Sequence, residues 1–405
     1  MPVNEHDVGS TFGDEELQAI RHVLSSKESL SWGSEKALFE REFAAYCGAR
    51  HAVAVTSCTA ALHTCAQVLR LGPGDEVVCT PQSFWATAVA LVARGVTMRF
   101  ADINPLTLNI DPATIEPQIT PNTRAIYVMH YGGNPVDMAA VRAIADAHGV
   151  PVVEDCAHAS GAAYRGAPVG NGDLCCFSFH SLKNMTTLGE GGMLTTNNEE
   201  WAEEVTQLRT MGIVGRTEPR ETTDIGPYPK PDFPIADHAA GSWDLDWTRI
   251  DEVGTNLRMS TVVAAVGRVQ LRKLDGFIAA RARVAERYTE AVESIAGLRG
   301  PLVAPGDTNA WHLYPCFIEP EAGVEHTELI RFMQQERGVQ IILRFWPLHL
   351  HNALRARGHE FGECPVCEKV WFEQQINLPI CPDMEKGEVS AVCEALAEGM
   401  EKCRA

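Results

Sequence analysis

The chain carries little positive charge for its size. Its 405 residues include 34 lysines and arginines against 53 aspartates and glutamates, and its formal net charge is −19. Nucleic acids and anionic membrane surfaces bind to basic faces, so this balance argues against either as the main partner. An anionic small substrate is still compatible with it, because such a substrate needs only a local positive pocket.

Long apolar runs are missing as well. The best of them, residues 88–93, ends at Arg94 and is far too short to span a bilayer. Residues 1–7 lack the basic and apolar segments of a secretory signal. We therefore expect a cytoplasmic protein that does not enter a membrane.

The thirteen cysteines are odd in number and scattered along the chain. This usage indicates buried thiols in a reducing compartment rather than a disulfide framework. Cys364 and Cys367 form a Cys-x-x-Cys pair, but no second pair follows at zinc spacing. We predict no metal site from this sequence.

Apolar segments of strand and helix type alternate through the first half of the chain. This rhythm predicts an α/β fold in which helices cover both faces of a mainly parallel sheet. The predicted strands are residues 52–55, 76–79, 97–101, 125–129 and 152–154, and the predicted helices are 16–25, 37–46, 60–71, 84–93 and 138–148.

Two domains are expected. Residues 1–255 form the large domain, which includes an N-terminal helical segment and a long loop at 216–247, rich in proline, glycine and acidic residues. Residues 256–405 form a smaller α+β domain. Its predicted elements are a long helix from 260 to about 295 that breaks near 275–276, strands at 313–318 and 339–343, and a last helix at 386–402.

Two residues at predicted strand ends indicate the chemistry. Asp155 ends an apolar strand, and Lys183 follows another strand-like run 28 residues later (183 minus 155). Ligands of parallel sheets bind at these carboxyl ends. A pyridoxal phosphate enzyme needs an amine for a Schiff base and a carboxylate that keeps the pyridine nitrogen protonated. Lys183 and Asp155 are therefore the predicted catalytic residues.

A phosphate site is predicted where residues 56–62 join a strand to a helix. Free backbone N–H groups and the helix dipole attract an anion there. Thr59 is a candidate contact, although it could equally be a simple N-cap. Ser178, five residues before Lys183, offers a further hydroxyl.

Two rings near these residues are candidates for contact with a pyridine ring. His158 lies three residues after Asp155 and could hydrogen-bond the phenolic oxygen, or it could be a turn histidine that faces solvent. An aromatic residue after Pro81 could stack on the ring, or it could simply pack in the core.

With these residues in place, the chain resembles the DegT/StrS-type sugar aminotransferases, which are fold-type I pyridoxal phosphate enzymes. The resemblance covers nearly the whole chain, and the order and spacing of its motifs are specific. The matching stretches are residues 39–44, 72–77, 130–133, 154–157, 178–180, 189–192, 255–259, 347–350 and 377–379, together with Lys183.

The resemblance implies a role for each matching residue. Lys183 would form the Schiff base with pyridoxal 5'-phosphate, and Asp155 would pair with the pyridinium nitrogen. Trp85, four residues after Pro81, would be the stacking aromatic in preference to Phe84. The remaining matches are phosphate contacts at Thr59, Ala60 and Ser178, a contact from Asn256 to the phosphate of the neighbouring subunit, and substrate contacts at Arg258 and His349. A homodimer with shared active sites is therefore expected.

Three positions depart from the family's usual residues. Cys58 stands at a phosphate-turn position that is often glycine, and His158 stands where glutamine is common. Arg344 replaces a common histidine, and a fixed cation there favours an anionic group on one of the substrates.

The function that these observations predict is amino transfer, with pyridoxamine phosphate as the amino-carrying form. Glutamate or glutamine would donate to a keto-sugar, often nucleotide-linked, or to a keto-cyclitol, in a pathway of amino-sugar biosynthesis. One alternative is a sugar dehydratase of the same family, although the known variants of that branch replace the lysine by histidine. Another is a non-catalytic regulator that keeps the fold.

Overall fold

A computed structural model describes residues 3–4, 8–215, 245–250 and 252–404. The helices are α1 Asp14–Ser26, α2 Ser34–Cys47, α3 Cys58–Val68, α4 Ala86–Ala93, α5 Met138–His148, α6 Glu199–Leu208, α7 Thr261–Ser294, α8 His326–Arg331, α9 Asn352–Arg355, α10 Pro365–Lys369 and α11 Lys386–Lys402.

Short strands alternate with these helices through the first half of the chain. The strands are β1 His51–Val55, β2 Glu76–Cys79, β3 Thr97–Phe100, β4 Thr123–Met129, β5 Val152–Asp155, β6 Ala163–Tyr164, β7 Ala167–Pro168, β8 Leu174–Ser178, β9 Gly192–Thr196, β10 Ile213–Gly215, β11 Leu245–Ile250, β12 Leu298–Arg299, β13 Tyr314–Ile318 and β14 Gln375–Leu378.

In the described part of the chain, the central sheet has seven strands in the order β1-β9-β8-β5-β4-β2-β3. β9 runs antiparallel to β1 and to β8, whereas the other neighbours are parallel. Every residue of β5 and β8 is buried, as expected for strands that helices cover on both faces. The predicted α/β fold with a mainly parallel sheet is confirmed.

A smaller sheet of β12, β13 and β14 lies beyond α7 and has its own apolar core, which includes Tyr288, Cys316, Ile376 and Leu396. β14 was not predicted. The strand predicted at 339–343 is wrong, because Val339 makes only an isolated bridge with Val3. We propose that the boundary between a large and a small domain falls near residue 255, just before α7.

The predicted break near residues 275–276 is also wrong. α7 is one helix of 34 residues that passes through Gly276. A Cβ at Gly276 would have nothing within 4 Å, so no close contact requires a glycine there. The residue only lowers the stability of the helix slightly, through its poor helix propensity.

Most of the predicted loop 216–247 lies outside the described residues, and its end, from Leu245, belongs to β11.

No helix in the described ranges is both long and apolar enough to cross a lipid bilayer.

An N-terminal strap, residues 8–10, lies across the turn that carries Lys183. The Gly9 N–H donates to the Ser181 carbonyl oxygen at 2.7 Å. The Gly9 carbonyl oxygen accepts from Arg281, a buried side chain of α7, at 2.6 Å. Ser10 Oγ donates to Gln270 Oε1, also on α7, at 2.6 Å. The strap therefore ties the lysine turn to the long helix.

The strap predicts a strong effect of Gly9→Ala. A Cβ there would lie 2.1 Å from the Leu182 carbonyl oxygen and 2.5 Å from that of Lys183, so the strap must move away from the turn. We expect the melting temperature to fall by a few degrees. Gly276→Ala is the matched control and should stabilise α7 by about 0.5–1 kcal/mol. Equal melting of Gly9→Ala and wild type would contradict this account of the strap.

Candidate active site

A cavity of about 380 Å³ opens at the carboxyl ends of β4, β5 and β8. Its wall combines strand ends with the loops that follow them. The lining residues are Ser57, Cys58, Thr59, Phe84, Ala86, Met129, Asp155, Ala157, His158, Ser178, His180, Leu182, Lys183, Glu190, His312, Arg344 and Phe345.

Asp155 is the buried carboxylate of this cavity. One of its oxygens accepts from Thr87 Oγ1 at 2.7 Å, and the other accepts from the Ala157 N–H at 3.0 Å. Burial raises the pKa of Asp155 above its ordinary value, although both hydrogen bonds act in the opposite direction. A cation placed beside Asp155 would therefore gain a partner that already has fixed geometry.

The phosphate turn leads from β1 into α3, beside Asp155. Ser57 is the N-cap, since its hydroxyl accepts from the Ala60 N–H at 3.1 Å. Thr59 is therefore not the N-cap, and it lines the cavity with Cys58. A Cβ on Gly192 would lie 2.3 Å from the Ser57 carbonyl carbon, so only glycine lets β9 approach this turn so closely. The first turn of a helix with hydroxyls suits an anion such as a phosphate.

Lys183 lies in the turn between β8 and β9. Its Nζ is 3.4 Å from His312 Nε2. Ser178, at the end of β8, is buried and lines the same cavity. The structure thus brings together the amine, the carboxylate and the phosphate turn that the sequence predicted, although their roles stay predictions.

His158 is buried, with its ring against that of His312 at 4.1 Å between centroids. Its Nδ1 accepts from the Gly132 N–H at 3.2 Å. Burial first, then the charges of Lys183 and Arg344, lower the pKa of His158 well below its ordinary value, so the ring is neutral and carries its proton on Nε2. Nε2 has no hydrogen-bond partner among the described residues. It is a donor in the cavity wall, as the contact to a phenolic oxygen would require.

These groups fit pyridoxal 5'-phosphate. Lys183 offers the amine, Asp155 the carboxylate for a ring cation, and the start of α3 the anion site. The buried Nε2 of His158 offers a donor that nothing in the described residues satisfies.

Arg344 also lines the cavity. Its carbonyl oxygen accepts from Gln375 Nε2 at 2.8 Å and from Gln82 Nε2 at 3.2 Å, and the Tyr131 hydroxyl donates to it as well. The backbone beneath this cation is therefore held from three sides, which suits a fixed contact with an anionic substrate group.

Five predicted site residues lie outside the lining set. One is Ala60 of the phosphate turn, whose N–H donates to the Ser57 hydroxyl. Trp85 contacts the His351 ring, and the lining aromatic is its neighbour Phe84. His349 is fully buried and pairs with Glu368 at 2.8 Å. Asn256 is exposed, and the Arg258 guanidinium lies over Trp32 at 4.8 Å. The structure does not bring these side chains to this chain's own cavity.

Sequence reasoning missed His312, Thr87 and the capping role of Ser57. The N-cap preference for serine and threonine pointed to Thr59 because the helix was predicted to begin at residue 60, whereas α3 begins at Cys58 and Ser57 caps it. Thr87 and His312 gave no such signal, since each reaches the site only through the packing of its own segment on Asp155 or Lys183.

One buried group of possible metal ligands lies behind the cavity. His130, Glu154 and Cys156 offer ligand atoms within 4.8 Å of one another. The Glu154 carboxylate is, however, already paired with His130 at 3.1 Å and Arg142 at 2.9 Å. We therefore interpret this group as an ion-pair network.

The sequence is similar to a known protein family and to characterised proteins along nearly its whole length. The model of the DegT/DnrJ/EryC1/StrS aminotransferase family matches residues 10–397. The spore coat polysaccharide biosynthesis protein SpsC of Bacillus subtilis (strain 168) is 37% identical over 389 residues, which cover 95% of this chain and 94% of that protein.

Two crystal structures share the fold. The aminotransferase TlmJ from Streptoalloteichus hindustanus is 31% identical with a TM-score of 0.85, covering 99% of this chain and 100% of that one. DesV of S. venezuelae, solved in complex with a ketimine intermediate, is 32% identical with a TM-score of 0.82, covering 96% of this chain and 95% of that one.

Proposed function

The chain belongs to the DegT/DnrJ/EryC1/StrS aminotransferase family, and from that premise we propose that it carries an amino group from glutamate or glutamine to a keto-sugar or keto-cyclitol. The sugar is often nucleotide-linked in this family. The observation that carries the proposal is one cavity in which Lys183, Asp155 and the start of α3 converge. The similarity to the aminotransferase TlmJ, and to DesV with its bound ketimine intermediate, supports amino transfer on this fold.

The enzyme is a pyridoxal-phosphate-dependent aminotransferase. When bound, the cofactor supplies an aldehyde that accepts the amino group and a ring that withdraws electrons. We assign Asp155 to the ring nitrogen and His158 Nε2 to the ring oxygen. Thr59, Ser178 and the first N–H groups of α3 are assigned to the phosphate.

Lys183 has the central role in this assignment. Its Nζ would act as general base and acid in both halves: it would take the proton that leaves the donor's α-carbon in the first half and give a proton to the aminated carbon of the acceptor in the second. Asp155 and Ser178 line the same cavity and are buried, so electrostatic interactions at these two side chains are screened less by water than they would be at the surface.

We assign Arg344 the role of binding an anionic group of a substrate. A carboxylate of the donor or a phosphate of a nucleotide-linked acceptor would each match a guanidinium in two parallel hydrogen bonds.

Asn256 and Arg258 support a second part of the proposal, a homodimer with shared active sites. Arg258 forms an isolated bridge with Val55, the last residue of the strand before the phosphate turn, and Asn256 forms one with Thr210. Neither side chain lines this chain's cavity. We assign them to the cavity of a neighbouring subunit.

The donor half-reaction tests the proposed function. We expect glutamate or glutamine, added without acceptor, to convert the absorbance of the bound aldehyde cofactor into that of its amine form. The matching keto acid should appear in equal amount, measured with a coupled dehydrogenase. A cofactor band that no amino donor shifts would contradict amino transfer and is the result expected of a dehydratase.

A further inference from the structure

His312 contacts the reacting amine directly. Its Nε2 lies 3.4 Å from Lys183 Nζ, and its ring contacts that of His158 at a tilt of 46°. The side chain is only 2% exposed, and its Nδ1 has no hydrogen-bond partner among the described residues. Burying an imidazole nitrogen without a hydrogen bond lowers the stability of the folded protein. Packing alone therefore does not explain why a histidine lies against Lys183.

The backbone around His312 is attached to the lysine turn itself. Asn184, the residue after Lys183, donates from Nδ2 to the Ala310 carbonyl oxygen at 2.7 Å. Movement of the lysine turn is therefore coupled to the segment that carries His312.

Three further hydrogen bonds hold this segment. The Ala310 N–H donates to the Gly133 carbonyl oxygen at 2.9 Å, and the Leu313 N–H donates to that of Gly132 at 3.1 Å. Arg281, which also holds the N-terminal strap, donates to the Trp311 carbonyl oxygen at 3.2 Å.

Trp311 adopts a left-handed backbone conformation, with φ of 51°. This region is unfavourable for a bulky residue, and such strain persists only where the surroundings impose it. The strained residue directly precedes His312, so the contacts of residues 310–313 place this imidazole at a defined point.

The chemistry of the ring suits a hydrogen bond to an amine. Burial first, then the neighbouring His158, Lys183, Arg281 and Arg344, lower the pKa of His312 well below its ordinary value. A neutral imidazole has one nitrogen that accepts and one that donates. It can hold the lysine nitrogen in either protonation state without adding a second positive charge.

We propose that His312 is a positioning residue for Lys183, which holds the amine at the point in the cavity where it meets the cofactor's aldehyde. The proposal rests on the proposed role of Lys183. It adds His312 to the site, a residue that the sequence motifs did not indicate.

The test compares His312→Gln with His312→Leu. Glutamine can place a polar atom near the position of Nε2, whereas leucine fills the space without one. The control is His326→Leu, a buried histidine of α8 that bonds the Gln375 carbonyl oxygen at 2.7 Å, away from the cavity. The primary measurement is the rate at which cofactor-free enzyme captures pyridoxal 5'-phosphate covalently, followed by absorbance, with melting temperatures measured in parallel.

We expect His312→Leu to capture the cofactor about tenfold more slowly, the usual effect of one lost hydrogen bond to a charged group. His312→Gln should stay within about threefold of wild type, and kcat should follow capture while the donor KM changes little. His326→Leu should capture at the wild-type rate although it melts earlier. Equal capture by leucine, glutamine and wild type would overturn the proposal, as would a loss in both variants that only parallels their melting temperatures.

Lys183→Ala is measured alongside, to separate this proposal from the assignment of Lys183. If Lys183→Ala still captures the cofactor covalently, the proposed role of Lys183 fails and that of His312 fails with it. If Lys183→Ala captures none and His312→Leu captures at the wild-type rate, only the inference about His312 fails.

Discussion

Replacement of Lys183 by alanine should reduce the kcat of amino transfer by at least about ten-thousand-fold. General acid–base catalysis alone contributes up to about that factor, and the variant also loses covalent attachment. Asp155 and the start of α3 remain, so the variant should still bind the cofactor reversibly. Turnover with glutamate or glutamine and an acceptor, with the cofactor in excess, is the measurement.

Lys402→Ala is the control for this experiment. That lysine lies on the surface of α11, where it pairs only with Glu398 at 2.9 Å among the ion pairs described, so its loss should leave turnover unchanged. Turnover of Lys183→Ala within tenfold of wild type would show that another group moves the proton.

Asp155→Asn should reduce kcat by at least about a hundredfold, the scale at which a single preorganised electrostatic group contributes. Asparagine has nearly the same shape: its Oδ1 can still accept from the Ala157 N–H, and its Nδ2 can donate to Thr87 Oγ1 in place of the bond that Thr87 donates to Asp155. It carries no charge, however, to hold a proton on the ring nitrogen. The measurement is single-turnover conversion of the bound cofactor by the donor. An unchanged rate would mean that Asp155 is not the partner of the ring nitrogen.

The same substitution should stabilise the cofactor-free protein at neutral pH. Burial raises the pKa of Asp155 in the folded state above 3.8, its ordinary value. The folded state then binds more protons than the unfolded state, and stability falls as pH rises through the folded pKa. Asparagine removes this cost, so the melting temperature of Asp155→Asn should exceed that of wild type at pH 7, and the difference should shrink toward pH 4.

The neighbouring Glu154 gives the opposite expectation and serves as the control. Burial alone would raise the pKa of Glu154, but His130 and Arg142 outweigh burial and lower it. Glu154→Gln should therefore destabilise the protein at pH 7 and matter less in acid. If both variants melt in the same direction, the charge argument for Asp155 is wrong and a packing effect explains the result.

Elements with a strong local pattern were predicted from the sequence. The bounds of β2, α5 and α11 agree with the prediction, because alternating or helical apolar patterns end there at clear polar or glycine signals. The break at residues 275–276 was wrong because one exposed glycine does not end a helix whose other residues are well packed. β14 was missed because its strand pairing with β13 is a long-range contact that a local pattern does not show.

The site was predictable to the extent that its residues stand at strand ends. Asp155 and Ser178 reach the cavity for that reason, since the carboxyl ends of β5 and β8 lie side by side, and Lys183 follows in the turn after β8. His349 also lies in a matching motif, residues 347–350, but its side chain hydrogen-bonds Glu368 and does not line the cavity. His312 lies far along the chain and reaches Lys183 through the strained turn at Trp311, which no spacing rule indicates.

Covalent mapping of the cofactor tests the central claim most directly. Borohydride reduction of the enzyme, then proteolysis and mass spectrometry, identifies the lysine that carries the pyridoxyl group. Lys36 is the strongest competitor, because burial lowers its pKa to about 8 and makes its amine partly neutral in mild base. We predict the modification on Lys183. A modification on Lys36 or any other lysine, or none after reconstitution with the cofactor, would contradict the account.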